Sequence, residues 1–335
     1  MSMKARSVMP YQSRSAKSAG FRLRPPGIFG GFVLLATLAA PLAQAASGSS
    51  ASGAEAFPAL QAGEQSHYAG AYSVVDLSPA EILADFPELR GLEPASDQER
   101  LRMLLDKVGE NVAAAYQRLA SVAADEDITA QKYGYEGRLK STLHRHFYYI
   151  IQVERSGIND RMKEYRADAR MARVESPGVE EGFAFSRDFA SQWMLLYPEN
   201  QSGSRFRYLG KQLNDGRQTY VLAFAERPGL AAITGSINYQ GELELLLYQG
   251  LVWIDALSDR IVKLRLDLLQ PCLEVGLEKE TTEIKLGEVP IPEANAPLWL
   301  PLDVTLTAMF KGQLFRNVHH YSRYRVFQVQ STVKF

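Results

Sequence analysis

The stretch Leu245–Leu269, LLLYQGLVWIDALSDRIVKLRLDLL, constrains the fold more than any other part of the chain. In its second half Val262, Leu264, Leu266 and Leu268 share one face, while Lys263, Arg265 and Asp267 share the other. An apolar period of two against a polar opposite face marks a half-buried antiparallel strand. The first half, Leu251-Val252-Trp253-Ile254, is apolar on both faces, which predicts a strand in the middle of a sheet. Between them Asp255-Ala256-Leu257-Ser258-Asp259 has the length and composition of a hairpin loop, and Asp259 tolerates the left-handed backbone such loops need.

More hairpins surround this one. Asn214-Asp215-Gly216 separates two strand-like runs, Arg205–Gln212 and Arg217–Phe224, and Lys311-Gly312 separates another pair. In that last pair Leu302, Val304, Leu306, Ala308 and Phe310 share a face. Upstream, Leu139, Leu143, Phe147, Tyr149, Ile151 and Val153 alternate with Lys140, Thr142, His144, His146 and Gln152, and Gly157–Asp160 predicts a turn into a strand at Arg161–Tyr165. A further strand is expected at Thr281–Val289.

Helical signals are few. Ser78-Pro79-Ala80-Glu81 reads as a capping box with proline at the first helical position, and Pro87 ends the short helix it opens. Ser96-Asp97-Gln98-Glu99 reads as a second box, opening a main helix at 97–123. There Leu101, Leu104, Leu105, Val108, Val112, Ala115, Tyr116 and Leu119 recur at three- and four-residue steps. Ser186 is the expected cap of a short helix at 187–196 carrying Phe189, Trp193 and Leu196, stopped by Pro198. Strands that do not alternate with helices argue against a parallel sheet. The expected class is α+β: a curved antiparallel sheet, an incomplete β-barrel, wrapped on the long N-terminal helix and the short one.

The N-terminus speaks to address. Residues 1–26 carry Lys4, Arg6, Arg14, Lys17, Arg22 and Arg24 with no acidic residue, and an apolar run, Ile28–Leu42, then leads to Ala43-Gln44-Ala45. That order predicts a Sec-type signal peptide over 1–45 with cleavage near Ala45, and Met9 is the alternative start. The other reading, an uncleaved anchor, has a run short of the ~20 residues a span needs. Residues 46–76 are expected as a flexible leader, rich in Ala, Gly, Ser and Gln to residue 66, ahead of a single domain over 77–335. Without the six basic residues of the signal, 37 Lys and Arg become 31 against 38 Asp and Glu, a net charge of −7. That balance argues against nucleic-acid binding. The single cysteine, Cys272, excludes an intrachain disulfide and reads as a small buried hydrophobe.

Signals for chemistry are weak. His144 and His146 share a strand face, as sheet-borne metal ligands do, but that face also carries Lys140, Thr142, Gln152 and Glu154, which favours a solvated surface. Adjacent His319 and His320 point to opposite sides of a strand, and His320, in parity with Leu314, Val318 and Val326, is expected to be the partly buried one. There is no G-x-S-x-G elbow and no Gly-rich phosphate loop. Glu175, Glu180 and Glu181 fall in a Gly/Pro loop and read as solvated charge.

The phrase Gly250-Leu251-Val252-Trp253-Ile254-Asp255 … Arg260-Ile261-Val262-Lys263-Leu264, with the long helix, the meandering strands and the export signal, resembles the periplasmic outer-membrane lipoprotein-sorting carriers and the related anti-sigma-factor regulators. The resemblance covers roughly residues 97–329. It implies an incomplete barrel closed by helices over an apolar cavity that holds acyl chains without metal or cofactor. The carriers' substrate-hooking residues match no position here. The cavity is expected among Phe189, Trp193, Phe206, Phe224, Trp253, Val262, Leu264, Leu266, Leu302, Val304 and Leu306, with Tyr208 and Phe310 adding to the aromatic supply. The same residues can equally fill a solid core. The leading function is therefore a non-enzymatic envelope protein binding a lipid, an acyl chain or a lipoprotein. The alternative is an interaction or sensing domain with a filled core and an envelope protein partner, and a metalloprotein or hydrolase is the weaker third. Cavity volume separates the first two, since a carrier needs several hundred Å3 of apolar space.

Overall fold

The computed structural model describes residues 67–68, 70–155, 161–174, 188–239 and 242–326. The signal segment, the leader to residue 66, the turn at 157–160, Glu175, Glu180, Glu181 and Ser186 lie outside the described residues. In chain order the elements are α1 (Pro79–Asp85), β1 (Glu93–Pro94), α2 (Glu99–Arg118), β2 (Val122–Tyr133), β3 (Leu139–Glu154), β4 (Arg161–Ala167) and β5 (Arg173–Val174). Two 3-10 turns follow, Ser191–Leu196 and Pro198–Gly203, then β6 (Ser204–Asn214), β7 (Arg217–Glu226), β8 (Gly235–Tyr239) and β9 (Glu242–Leu246). The chain continues as β10 (Tyr248–Asp255), β11 (Ile261–Leu268), β12 (Leu277–Val289), β13 (Leu298–Phe310) and β14 (Gln313–Val326).

Turn chemistry explains the hairpins. Asp215 and Gly216 both have positive φ (46° and 78°), as do Lys311 and Gly312 (48° and 69°), the conformation of two-residue turns that match strand twist. Asp259 takes φ 51° in the β10–β11 loop, as its residue type predicts. Gly250 answers a different need: a Cβ there would collide with the carbonyl oxygen of Arg265 on the neighbouring strand.

Twelve strands form one antiparallel sheet in the order β1-β6-β7-β10-β11-β12-β13-β14-β2-β3-β4-β5, and β8 pairs with β9 in a separate ribbon. β1 and β5, two residues each, stand at opposite ends, so the sheet is open and no barrel closes. Register shifts interrupt the β6–β7, β10–β11, β12–β13 and β14–β2 pairings. Such bulges bend and coil a sheet, which suits a curved surface.

One face carries the main core, where α2 lays Leu104, Val108, Val112 and Tyr116 against strand residues such as Leu222, Leu264, Ile284 and Val304. The opposite face is covered at β6, β7, β10 and β11 by residues 74–92, whose Val74, Leu77, Ile82, Phe86 and Leu89 bury Leu209, Val221, Leu251 and Trp253. β10 is thus apolar on both faces because both faces are covered. Residues ahead of 77 also pack on the sheet: Tyr68 and Val74 are buried, and the Tyr68 hydroxyl donates to the Leu245 carbonyl at 3.1 Å.

Local expectations meet mixed outcomes. The Ser78 capping box forms as written. The one at Ser96 does not: Ser96 spends its hydroxyl on Asp97, and Gln98 caps the backbone without its side chain. The Gln98 amide is instead committed to both the N–H and the C=O of Tyr208, each at 2.8 Å, pinning α2 to β6. α2 ends at Arg118 because Val122 and Ala123 are drawn into pairing with Ile151 and Ile150. The short helix at 187–196 is a single 3-10 segment, with Phe189, Trp193 and Leu196 buried as their spacing predicts. In β14 the parity is the reverse of that expected: Phe315, Asn317, His319 and Tyr321 face the core, while Leu314, Val318 and His320 face outward. No helix among the described residues is long and apolar enough to cross a membrane.

Candidate functional site

The residues nominated for a cavity divide between the two faces. Phe189, Trp193, Phe224, Leu264, Leu266, Val304 and Leu306 come together in the main core with Tyr208, and Phe206 and Phe310 pack against it half-buried. Trp253, Val262 and Leu302 do not join them. Trp253 lies on the opposite face, its indole N–H donating to Gln212 at 2.7 Å and Lys263 held 4.8 Å over its ring. Val262 is the extra residue where Trp253 pairs with Lys263 and Ile254 with Ile261, so its side chain turns outward and Ile261 takes the inner position. Leu302 falls in the β12–β13 register shift, over Gly287, and lines an outer groove with Val262 and Trp299.

The seven inward residues belong to one packed cluster. The opening that reaches this core is a slot of about 30 Å3 between α2 and the starts of β11 and β13, with room for a water or two. Val108, Val112, Ala115, Trp193, Ile261 and Leu298 make its walls, and Asn111, Arg118 and Arg260 stand at its mouth. Trp193 contributes more than surface: its indole N–H is buried and has no hydrogen-bond partner. Buried donors are nearly always satisfied, so an orphan at the wall of a slot is informative. α2 is tied down on this side by exposed polar groups, the Asn111 amide to the Ser258 and Asp259 carbonyls (3.2 Å each) and Lys107 to Asp259 (3.3 Å). Two larger depressions, of about 570 and about 550 Å3, are open grooves lined by charged residues such as Glu93, Arg100 and Lys211 in one and Asp215, Lys263 and Lys285 in the other.

A second constellation, buried and polar, lies beneath Phe189. Glu126 on β2 accepts a bidentate pair from Arg166 on β4 (2.6 and 2.7 Å) and single bonds from His319 Nδ1 and the Tyr321 hydroxyl (2.8 Å each). Burial alone would raise the Glu126 pKa, but the Arg166 guanidinium and the His319 hydrogen bond outweigh it and hold the carboxyl at about 2. Glu164, also on β4, accepts from the Tyr149 hydroxyl and from the backbone N–H groups of Ala190 (2.9 Å) and Ser191 (2.7 Å), which caps the 3-10 segment carrying Trp193. Burial, with the Asp188 charge adding to it, raises Glu164 to about 7. Burial lowers the pKa of His319, and with Nδ1 donating to a carboxylate its Nε2 is an acceptor, buried and unpartnered beside the Phe189 ring (centroids 5.1 Å apart). A buried charge pair with its hydrogen bonds satisfied locks β2, β4 and β14 together.

Three of the other histidines have polar neighbours, whereas His67 packs edge-on to Tyr68 with its Nε2 buried and unpartnered. His146 and His144 are exposed, the first 2.9 Å from Asp127 and the second 3.2 Å from Thr129, and His320 meets Asp303 at 2.7 Å. Among the described residues no group of three or more His, Cys, Asp or Glu is placed to hold a metal ion. Periodicity could find neither Glu126 nor His319, because each is polar at an inward position and its partners lie far away in sequence. The arginines of the slot mouth are likewise brought together only by the fold.

An open antiparallel sheet with a helix across its apolar face and a slot beneath that helix defines the class of structure. No family profile and no curated protein matches the chain. Solved structures similar to it include a DUF1329 family protein from Desulfovibrio piger, at 11% identity over 69% of this chain and 94% of that one, with a TM-score of 0.38. A domain assigned to outer membrane lipoprotein sorting from Vibrio parahaemolyticus follows, at 11% identity over 68% and 95%, TM-score 0.37. The MucA/MucB complex of Pseudomonas aeruginosa also matches, at 13% identity over 68% and 98%, TM-score 0.19.

Proposed function

We propose that the protein is a non-enzymatic binding protein of the cell envelope that takes the apolar part of a lipid, or of a lipidated partner, into the seam between α2 and the sheet. The observation that carries this reading is the apolar slot, which runs from the surface into the main core directly beneath the helix. Closed, it admits no acyl chain. Besides its apolar stripe, the polar attachments that hold α2 on this side are two Asn111 hydrogen bonds and an ion pair, at least partly exposed and of small net strength. Lifting the helix would expose Leu264, Leu266, Val304, Leu306 and Phe224 to a ligand, and an acyl chain would replace the contacts the helix gives up. Each buried methylene contributes about 0.8 kcal/mol before ordering costs, so roughly ten of them bring affinity to the micromolar range.

The test is a titration of the delipidated protein with a fluorescent fatty acid. Ala115→Trp is the discriminating variant, because Ala115 is half-buried at the slot wall and a larger ring there plugs the slot without disturbing the deep core. Saturable binding by wild type, lost in the folded variant, supports the reading. Absence of binding by folded wild type favours the second reading, an envelope interaction domain, to which the close packing of the core already lends support. In either reading we infer that residues 1–45 direct export and are removed, and an intact Ile28–Leu42 segment in the mature protein would refute that.

A further inference from the structure

We propose that the slot is built for an amphiphile with an anionic head, which Arg118 and Arg260 hold at the mouth while the Trp193 N–H donates to an oxygen of the same head. This deepens the acyl-binding reading above and rests on it. Three observations converge. Among the described residues no carboxylate pairs with Arg118, although the chain is acidic overall. The role a terminal arginine usually plays at a helix C-terminus is already filled by Arg155, which donates to the carbonyls of Tyr116 (2.5 Å) and Leu119 (3.2 Å). Arg118 itself gives only its Nε–H, to Ala114 at 3.1 Å. Arg260 is stacked 5.1 Å over the Trp299 ring, which fixes a cation at the lip, and the carboxylate it pairs with, Glu288, sits 3.5 Å away in a partly exposed pair that a better anion can displace. Inside, the buried Trp193 N–H lacks an acceptor that a carboxylate, phosphate or ester oxygen would supply.

Nearby on the same side, Lys107 and Asp259 are paired with each other at 3.3 Å. Apolar walls that include Trp193, with two guanidiniums in the lining, suit an apolar chain that carries a negative head.

The experiment uses the mature, delipidated protein and four probes of one chain length, each below its micelle-forming concentration: dodecanoate, dodecyl phosphate, methyl dodecanoate and dodecyltrimethylammonium. The expected result is that both anions bind about tenfold or more tightly than the ester, the factor that 1.4 kcal/mol represents. The ammonium is expected to bind weakest, and added salt should narrow the difference. Arg118→Gln with Arg260→Gln should lower anion affinity about tenfold and leave the ester unchanged, whereas Arg118→Lys alone should retain most of it. Trp193→Phe, which keeps the ring and removes the N–H, should weaken carboxylate and ester together. The ratio of phosphate to carboxylate affinity distinguishes a phospholipid head from a free fatty acid. Equal binding of all four probes by wild type overturns the anionic-head inference and leaves acyl binding standing. Binding of none by folded wild type overturns both.

Discussion

Glu126 and Glu164 stand on strands separated only by β3, yet burial and partners drive them in opposite directions, to about 2 and about 7. The consequences for stability have opposite sign. For Glu164 the folded state holds its proton more tightly than the unfolded chain, so this contribution is whole below about pH 4.5 and is lost as pH rises through about 7. For Glu126 the contribution is whole above about 4.5 and is lost only toward pH 2. His319, lowered from 6.5, adds a contribution present above that value and lost on acidification. Glu164→Gln keeps an acceptor for one of the Ala190 and Ser191 N–H groups, which bond to different carboxylate oxygens, and cannot titrate. Wild type should therefore gain stability relative to this variant between pH 8 and pH 5, by up to about 3 kcal/mol. Urea midpoints at the two pH values measure it, and a gain of the opposite sign excludes the assignment. Arg166→Met leaves the Glu126 charge buried without its bidentate partner and should cost about 3–5 kcal/mol. Adding Glu126→Gln should recover part of that loss, which a double-mutant cycle of unfolding free energies reads directly.

At the scale of elements, the helix gives the cleanest comparison. Leu104 and Val108 are fully buried, whereas Leu105 is only half-buried at the edge of the same stripe. Leu104→Ala should cost about 2–5 kcal/mol and Leu105→Ala clearly less. Lys107→Ala, removing one exposed ion pair, should cost under about 0.5 kcal/mol by the same denaturation measurement. The hairpins were legible because their determinants are local: Gly216 and Gly312 adopt positive φ at no steric cost, and Asp215 tolerates it. The limits of α2 were not, since Val122 continues the helical stripe as well as it starts a strand, and only pairing with Ile151 decides between them. Bulges were invisible for a similar reason. Val262 and Leu302 keep perfect alternation in the sequence, and a single register shift in each strand turns them to the other face. In β14 apolarity misleads outright, because the inward face is polar and is satisfied by Glu126 from the other half of the chain.

For the whole molecule, an open antiparallel sheet over a long helix followed from period, turn residues and the scarcity of helical signals. The second covered face did not, because residues to 76 read as leader and the short helix after Ser78 shows no target for its apolar residues until β6, β7 and β10 lie side by side. Trp193 was legible as an apolar residue bound for the core. The slot it lines was not, since Arg118, Trp193 and Arg260 converge from three separated segments. The order of strands also governs how such a sheet can be made. β2 is bordered on one side by its sequence neighbour β3 and on the other by β14, so Glu126 meets Tyr321 across 195 positions of chain. Pairing at that separation carries a large loop-closure entropy and slows folding. Until β14 arrives, β2 has a bare edge and Glu126 lacks both its histidine and its tyrosine, so the last described strand completes what one of the earliest begins.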